Sequence, residues 1–142
     1  MSIGLHMALV KTSHAQKNKT RPGMTKIGLS PGQPKILTYV SEHNCCMQKE
    51  IAIALDIEPA TVSQLLNNMA QNGLIKRSAP AERKRAESVS ITEKGQSAYK
   101  KWLCLCKEIE EVSLQGFTKE EQEQFLDYLS RMYYNLTDKI LE

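Results

Sequence analysis

Over residues 59–71 the chain reads PATVSQLLNNMAQ, and its apolar side chains fall at Val62, Leu65, Leu66 and Met69. That is the i, i+3, i+4, i+7 spacing of one buried helix face. Asn72-Gly73 follows as a C-cap. A shorter helix, about Met47 to Leu55, carries Ile51, Ala52 and Leu55 on one face. The connection DIEP joins the two, and its Pro59 fits a helix start, so the pair is a helix-turn-helix candidate. Before it, SPGQ predicts a helix entry with Ser30 as cap, Pro31 at the first position and Gln33 completing a capping box. That helix buries Ile36, Leu37, Tyr39 and Val40 and stops near His43–Asn44. Residues 1–19 read as one helix with a frayed end, and KNKTRPGMTKIG as a loop broken by Pro22, Gly23 and Gly28.

After Gly73 the period shortens. LIKRSA and ESVSIT predict two strands, with PAERKR as a hydrophilic hairpin tip between them. Thr92 then caps a long helix with a seam of Ala98, Trp102, Leu105, Ile109 and Val112, ended by Gly116. Thr118 and Glu121 form a capping box for a last helix that repeats Phe125, Leu129, Met132, Leu136 and Ile140. The expected fold is mainly α with a small β-hairpin, in the order helix, helix, helix-turn-helix, hairpin, helix, helix. It divides into 1–28 (N-terminal helix and loop), 29–95 (central domain) and 96–142 (C-terminal helices).

A chain of 142 residues with 25% charged residues is one domain, or one domain with oligomerisation arms. Its charge is uneven. Residues 1–106 hold fifteen Lys/Arg against seven Asp/Glu, whereas residues 107–142 hold four against nine. A basic body suits a polyanionic partner. No apolar run exceeds five residues, which excludes a membrane span. No secretion signal is visible, so the cytoplasm is the expected location. The four cysteines lack the spacing of a zinc knuckle or redox motif, and Cys104 and Cys106 point roughly 200° apart on a helix. His6, His14 and His43 have no ligand spacing either, so neither metal nor cofactor is expected. No nucleophile-base motif, Gly-rich phosphate loop or HExxH is present, and an enzyme is not expected.

From Thr61 to Ile75 there is no charged residue. Ser63, Gln64, Asn67 and Gln71 lie opposite the apolar stripe, with Thr61 and Asn68 on its flanks. Reading a base edge needs groups that both donate and accept, which Gln, Asn, Ser and Thr supply. Charge for the phosphates comes next in the chain, as Lys76, Arg77, Arg83, Lys84 and Arg85 against the single Glu82. This division of labour points to double-stranded DNA as partner.

The same residues carry a family resemblance. LSPGQPKIL, MQKEIAIALDIEPATVSQLLNNMAQNGLIKR and ERKRAESVSITEKG resemble the entry helix, helix-turn-helix and wing of the MarR family of bacterial transcriptional regulators. The resemblance implies a winged helix-turn-helix flanked by N- and C-terminal dimerisation helices. It also implies a homodimer with each recognition helix in a major groove and each wing-tip Arg in a minor groove. Arg85 matches that Arg, but the Asp usually found two residues before it is Arg83 here, with Glu82 one place earlier. The resemblance further implies a small-molecule effector in the cleft between the dimer helices and the winged domain, and a repressor role. The seams through Trp102, Leu105, Ile109, Phe125, Leu129, Met132, Leu136 and Ile140 are the expected dimer contacts, since a winged domain of about 65 residues cannot cover them. The family's peroxide sensors carry a Cys near the first helix, and none precedes Cys45 here. Cys45 and Cys46 remain candidate redox residues, because the start of the next helix can lower a thiol pKa. A thiol- or metal-responsive regulator of the same fold and a winged-helix protein-interaction module stay open as alternatives.

Overall fold

A computed structural model describes residues 2–78 and 88–141. The chain forms two compact units, Met1–Lys107 and Glu108–Glu142. In chain order the elements are α1 (Leu5–Ile27), α2 (Gln33–Glu42), β1 (Cys46–Met47), α3 (Gln48–Leu55), α4 (Pro59–Gln71), β2 (Ile75–Ser78), β3 (Ser88–Ile91), α5 (Glu93–Ser113) and α6 (Lys119–Thr137). The expected winged helix-turn-helix is present: α3 and α4 are its two helices, and β2 and β3 its hairpin strands.

The core of the first unit is built on the faces read from the sequence. Val62, Leu66 and Met69 of α4 are buried against Ile36, Leu37 and Val40 of α2 and Ile51 and Ala52 of α3. Leu65 is partly buried at its rim. Met24 of α1 and Ala98 of α5 join the same core. Both flanking helices thus anchor part of their length on this core.

The sheet is three-stranded and antiparallel, in the order β1-β3-β2. Cys46, Val89 and Arg77 lie in register across it. The two-residue strand β1 is absent from the sequence reading. It shows no alternation of its own and is defined by its pairing with β3.

Three element boundaries differ from expectation. The loop expected over KNKTRPGMTKIG is helical, and α1 runs on to Ile27 with Pro22 inside it. An interior proline costs ~3 kcal/mol in an unsupported helix. Here the following residues pack: Met24 is buried, and a Cβ on Gly23 would lie 2.7 Å from the Leu105 side chain. Close packing of this glycine face offsets the break. Helix α2 starts at Gln33 rather than Pro31, because Gly32 takes φ 88° as its N-cap. Half of the expected capping box survives, the Ser30 N–H donating to Gln33 Oε1 at 3.0 Å. Finally, α6 ends at Thr137 with Asp138 at φ 59°, so Ile140 lies beyond the helix rather than on its seam.

The second unit, Glu108–Glu142, has the expected capping box. Thr118 Oγ1 accepts from Glu121 N at 3.1 Å, and the Thr118 N–H donates to Glu121 Oε2 at 2.8 Å. No residue of α6 is buried.

Candidate nucleic-acid interface

Helix α4 is held at both ends by local chemistry. Its start follows a tight turn: Asp56 closes α3 at φ 54°, a left-handed position that Asp tolerates, and Pro59 opens α4 two residues later than Ile57. Its end leaves carbonyls without helical partners, as every helix does. The Asn72, Gly73 and Leu74 N–H groups donate to the Asn68, Ala70 and Met69 carbonyls, and the start of α5 holds the carbonyls of those same three donor residues. Thr92 Oγ1 donates to Gly73 O at 2.6 Å, Lys94 Nζ to Asn72 O at 2.7 Å, and Thr92 N to Leu74 O at 3.2 Å. Thr92 Oγ1 in turn accepts from Gly95 N at 3.0 Å, capping α5. Gly95 permits this approach, since a Cβ there would meet Leu74 O at 2.1 Å. NGL and ITEKG are thus two halves of one joint, although separated in sequence.

With α4 fixed in this way, Thr61, Gln64, Asn67, Asn68 and Gln71 are exposed and Ser63 is half-buried. The amide-rich face read from the sequence is the solvent face of α4. Lys76 is exposed on β2 beside it. Arg83, Lys84 and Arg85, together with the departure at Glu82, lie outside the described residues.

Arg77 departs from expectation. One of the row of cations expected to bind phosphate, it is half-buried. Its Nη1 donates to Asn67 Oδ1, and its Nη2 donates to Gln48 Oε1 at 2.9 Å. The guanidinium therefore ties β2 to α4 and to the first residue of α3. Gln48 has a structural share in the site that no motif signalled, because its partner lies 29 residues away.

Of the two candidate redox thiols, Cys46 departs from expectation. Cys45 is exposed and Cys46 is buried. Burial, with Glu50 adding to it, pushes the Cys46 thiol from 9.0 up to about 11. Desolvation is the largest cause, and a backbone hydrogen bond that lowers the pKa does not offset it. His43, the nearest imidazole in sequence, stacks on Tyr39 with centroids 4.2 Å apart. Among the described residues no three His, Cys, Asp or Glu side chains group so as to hold a metal ion. None of the described helices is long and apolar enough to cross a membrane.

The expected dimer contacts fall into two sets. Trp102, Leu105 and Ile109 are half-buried, as are Leu129 and Met132. Phe125, Leu136 and Ile140 are 46%, 77% and 79% exposed.

The geometry has close counterparts among known proteins. The chain is 28% identical over 101 residues to the HTH-type transcriptional repressor MdtR of Bacillus subtilis, covering 71% of this chain and 65% of the relative. It is 25% identical over 109 residues to the HTH-type transcriptional regulator BilQ of Clostridium symbiosum, covering 77% and 76%. A crystal structure of an S. aureus MepR–DNA complex superposes with TM-score 0.87 at 25% identity, covering 94% of this chain and 99% of that one. A putative MarR family regulator from Listeria monocytogenes, crystallised with a 26mer DNA, superposes with TM-score 0.84 at 26% identity, covering 97% and 91%. The family model for MarR matches residues 29–86, which hold α2, the helix-turn-helix and strand β2. Over this segment the chain is similar to the MarR family, and its fold is that of the winged helix-turn-helix regulators it superposes on.

Proposed function

We propose that the protein is a homodimeric, cytoplasmic transcriptional repressor that binds a pseudo-palindromic DNA operator and is modulated by a small ligand. It is a regulator rather than an enzyme. One observation carries the reading. The exposed face of α4 presents Thr61, Gln64, Asn67 and Asn68, all uncharged hydrogen-bonding groups, on a helix whose C-terminal end is pinned to the start of α5. A helix of that chemistry fits the major groove, where base edges are read. Two similar structures were solved with DNA, and one relative bears the name of a repressor.

The segments 1–28 and 96–142 serve as dimerisation arms around the DNA-binding domain 29–95. In support, Leu136 and Ile140 are more than three-quarters exposed in the single chain, and Phe125 and Leu126 are about half exposed. The ligand reading has its own support in a cleft of about 420 Å³ beside the end of α4. Ile27, Leu74 and Ala98 line it with apolar surface, and Lys94, Ser97 and Lys101 with polar groups.

The test is selection of bound duplexes from random DNA by the full chain. A pseudo-palindrome with half-sites one helical turn apart is expected. Gln64→Ala should then cost about 1–3 kcal/mol on that operator and little on random DNA. Arg85→Ala should weaken both and flatten the salt dependence by about two units of slope per dimer, one per wing. Equal losses from both variants on random DNA, with specificity unchanged, would remove base reading from α4.

A further inference from the structure

The bonds of Arg77 fix more than the packing of three elements. A guanidinium offers five donors and no acceptor. Whatever amide atom faces it must therefore be oxygen, and Nη1 meets Asn67 Oδ1 while Nη2 meets Gln48 Oε1 at 2.9 Å. The flip state of both amides is set by chemistry. Charge-assisted bonds are roughly twice as strong as neutral ones, so turning Asn67 over to offer its oxygen elsewhere would forfeit the stronger contact. The group of Asn67 left outside the Arg77 bond is its NH₂. Asn67 is exposed on the reading face of α4, one helical turn from Gln64.

We propose that Arg77 is a specificity-determining positioning residue that makes Asn67 read DNA as a hydrogen-bond donor. An unrestrained Asn can pair bidentately with adenine, accepting from N6 and donating to N7. With one lone pair of Oδ1 held by Arg77 and the NH₂ the group left outside that bond, the complementary edges are those rich in acceptors: guanine, with O6 and N7, and thymine, with O4. Cytosine presents only an amino donor to the Asn67 donor, and adenine sets its N6 donor beside its one acceptor, N7, so both are disfavoured relative to guanine and thymine. Gln48 completes the arrangement by holding the other arm of the guanidinium from the first residue of α3. The inference rests on the reading that α4 enters the major groove.

Duplex selection with the full-length parent, Arg77→Ala, Asn67→Ala and Asn67→Asp tests it, with thermal melts run alongside. Asn67→Ala identifies the operator position that Asn67 reads, since that position becomes degenerate. In the parent, guanine or thymine should be favoured there over adenine by about tenfold. Arg77→Ala releases the amide and should bring adenine up to parity or beyond. Asn67→Asp keeps an oxygen for Arg77 but replaces the donor by an acceptor, and should move the preference to cytosine. This arm is isosteric and reads out even where Arg77→Ala fails to fold. Adenine preferred by the parent, or Asn67→Asp selecting the parent's base, overturns the inference while leaving DNA binding by α4 intact. No sequence enriched by the parent at all overturns the DNA reading and the inference with it.

Discussion

Helices α2 and α6 are both amphipathic, but they end up in different surroundings. In α2, five of ten residues are buried: Gln33, Pro34, Ile36, Leu37 and Val40. In α6, none of nineteen is buried. The apolar stripe of α2 meets α3 and α4 within the chain's own core. That of α6 includes Phe125 and Leu136, which stay largely exposed. Amphipathicity says that a face seeks a partner; it does not say whether the partner belongs to the same chain. Soluble proteins avoid exposed apolar stripes of this length, so the contrast is itself the argument for a second copy.

The largest effect should come from deleting the region without a core of its own. Removal of residues 118–142 is expected to leave the first unit folded, because its buried residues end at Ala98. The same deletion should abolish high-affinity operator binding, since a monomer loses the joint engagement of two half-sites. Sedimentation and titration of a two-half-site duplex measure both. A truncated chain that stays dimeric and binds with full affinity would show that α6 is not the arm.

A matched pair of leucines sharpens the contrast. Leu66, fully buried on α4, should cost about 2–5 kcal/mol when replaced by Ala, independently of protein concentration. Leu136 is 77% exposed, so Leu136→Ala should leave the stability of the single chain nearly unchanged. Its loss should appear instead as a dimer dissociation constant raised by roughly tenfold, and as a melting temperature more dependent on concentration. Thermal melts over a range of concentrations separate the two. A concentration-independent loss at Leu136 would place its partner within the chain.

Much of this was legible in the residues because the relevant physics is local. The stripe on α4, the Asn72-Gly73 stop and the Thr118–Glu121 box each depend on side chains three or four positions apart, and each is found where the spacing put it. The amide face was legible for the same reason. What escaped depends on distant neighbours. Strand β1 exists because β3 lies beside it, and α1 continues past Pro22 because Gly23 and Met24 pack. The row of cations after α4 hid a similar case. Strand alternation puts Lys76 and Arg77 on opposite faces, but the partners of Arg77, Asn67 and Gln48, lie ten and 29 residues away in sequence.

The smallest effect concerns two adjacent cysteines, which repeat the contrast between covered and uncovered surface on the scale of one residue. Cys45 is exposed, whereas Cys46 lies in the core with its Sγ 3.9 Å from Val89 O. Alkylation of the folded protein should therefore label Cys45, and the exposed Cys104, well before Cys46, as read by peptide mass spectrometry. The Cys46 thiol is also pushed up from 9.0 to about 11 by burial. In the unfolded chain this thiol loses its proton near pH 9, while in the folded chain it keeps it. Between those values the folded state binds more protons, so stability falls as pH rises from about 9 to about 11 and is unaffected below that window. Cys46→Ala should flatten this alkaline loss, at the cost of a small cavity beside Val89, and Cys45→Ser should leave it unchanged. Denaturant melts at pH 8 and pH 10 on the three proteins give the comparison. An alkaline loss that persists in Cys46→Ala would assign it to another group, and rapid labelling of Cys46 in the folded state would show that the core opens at β1.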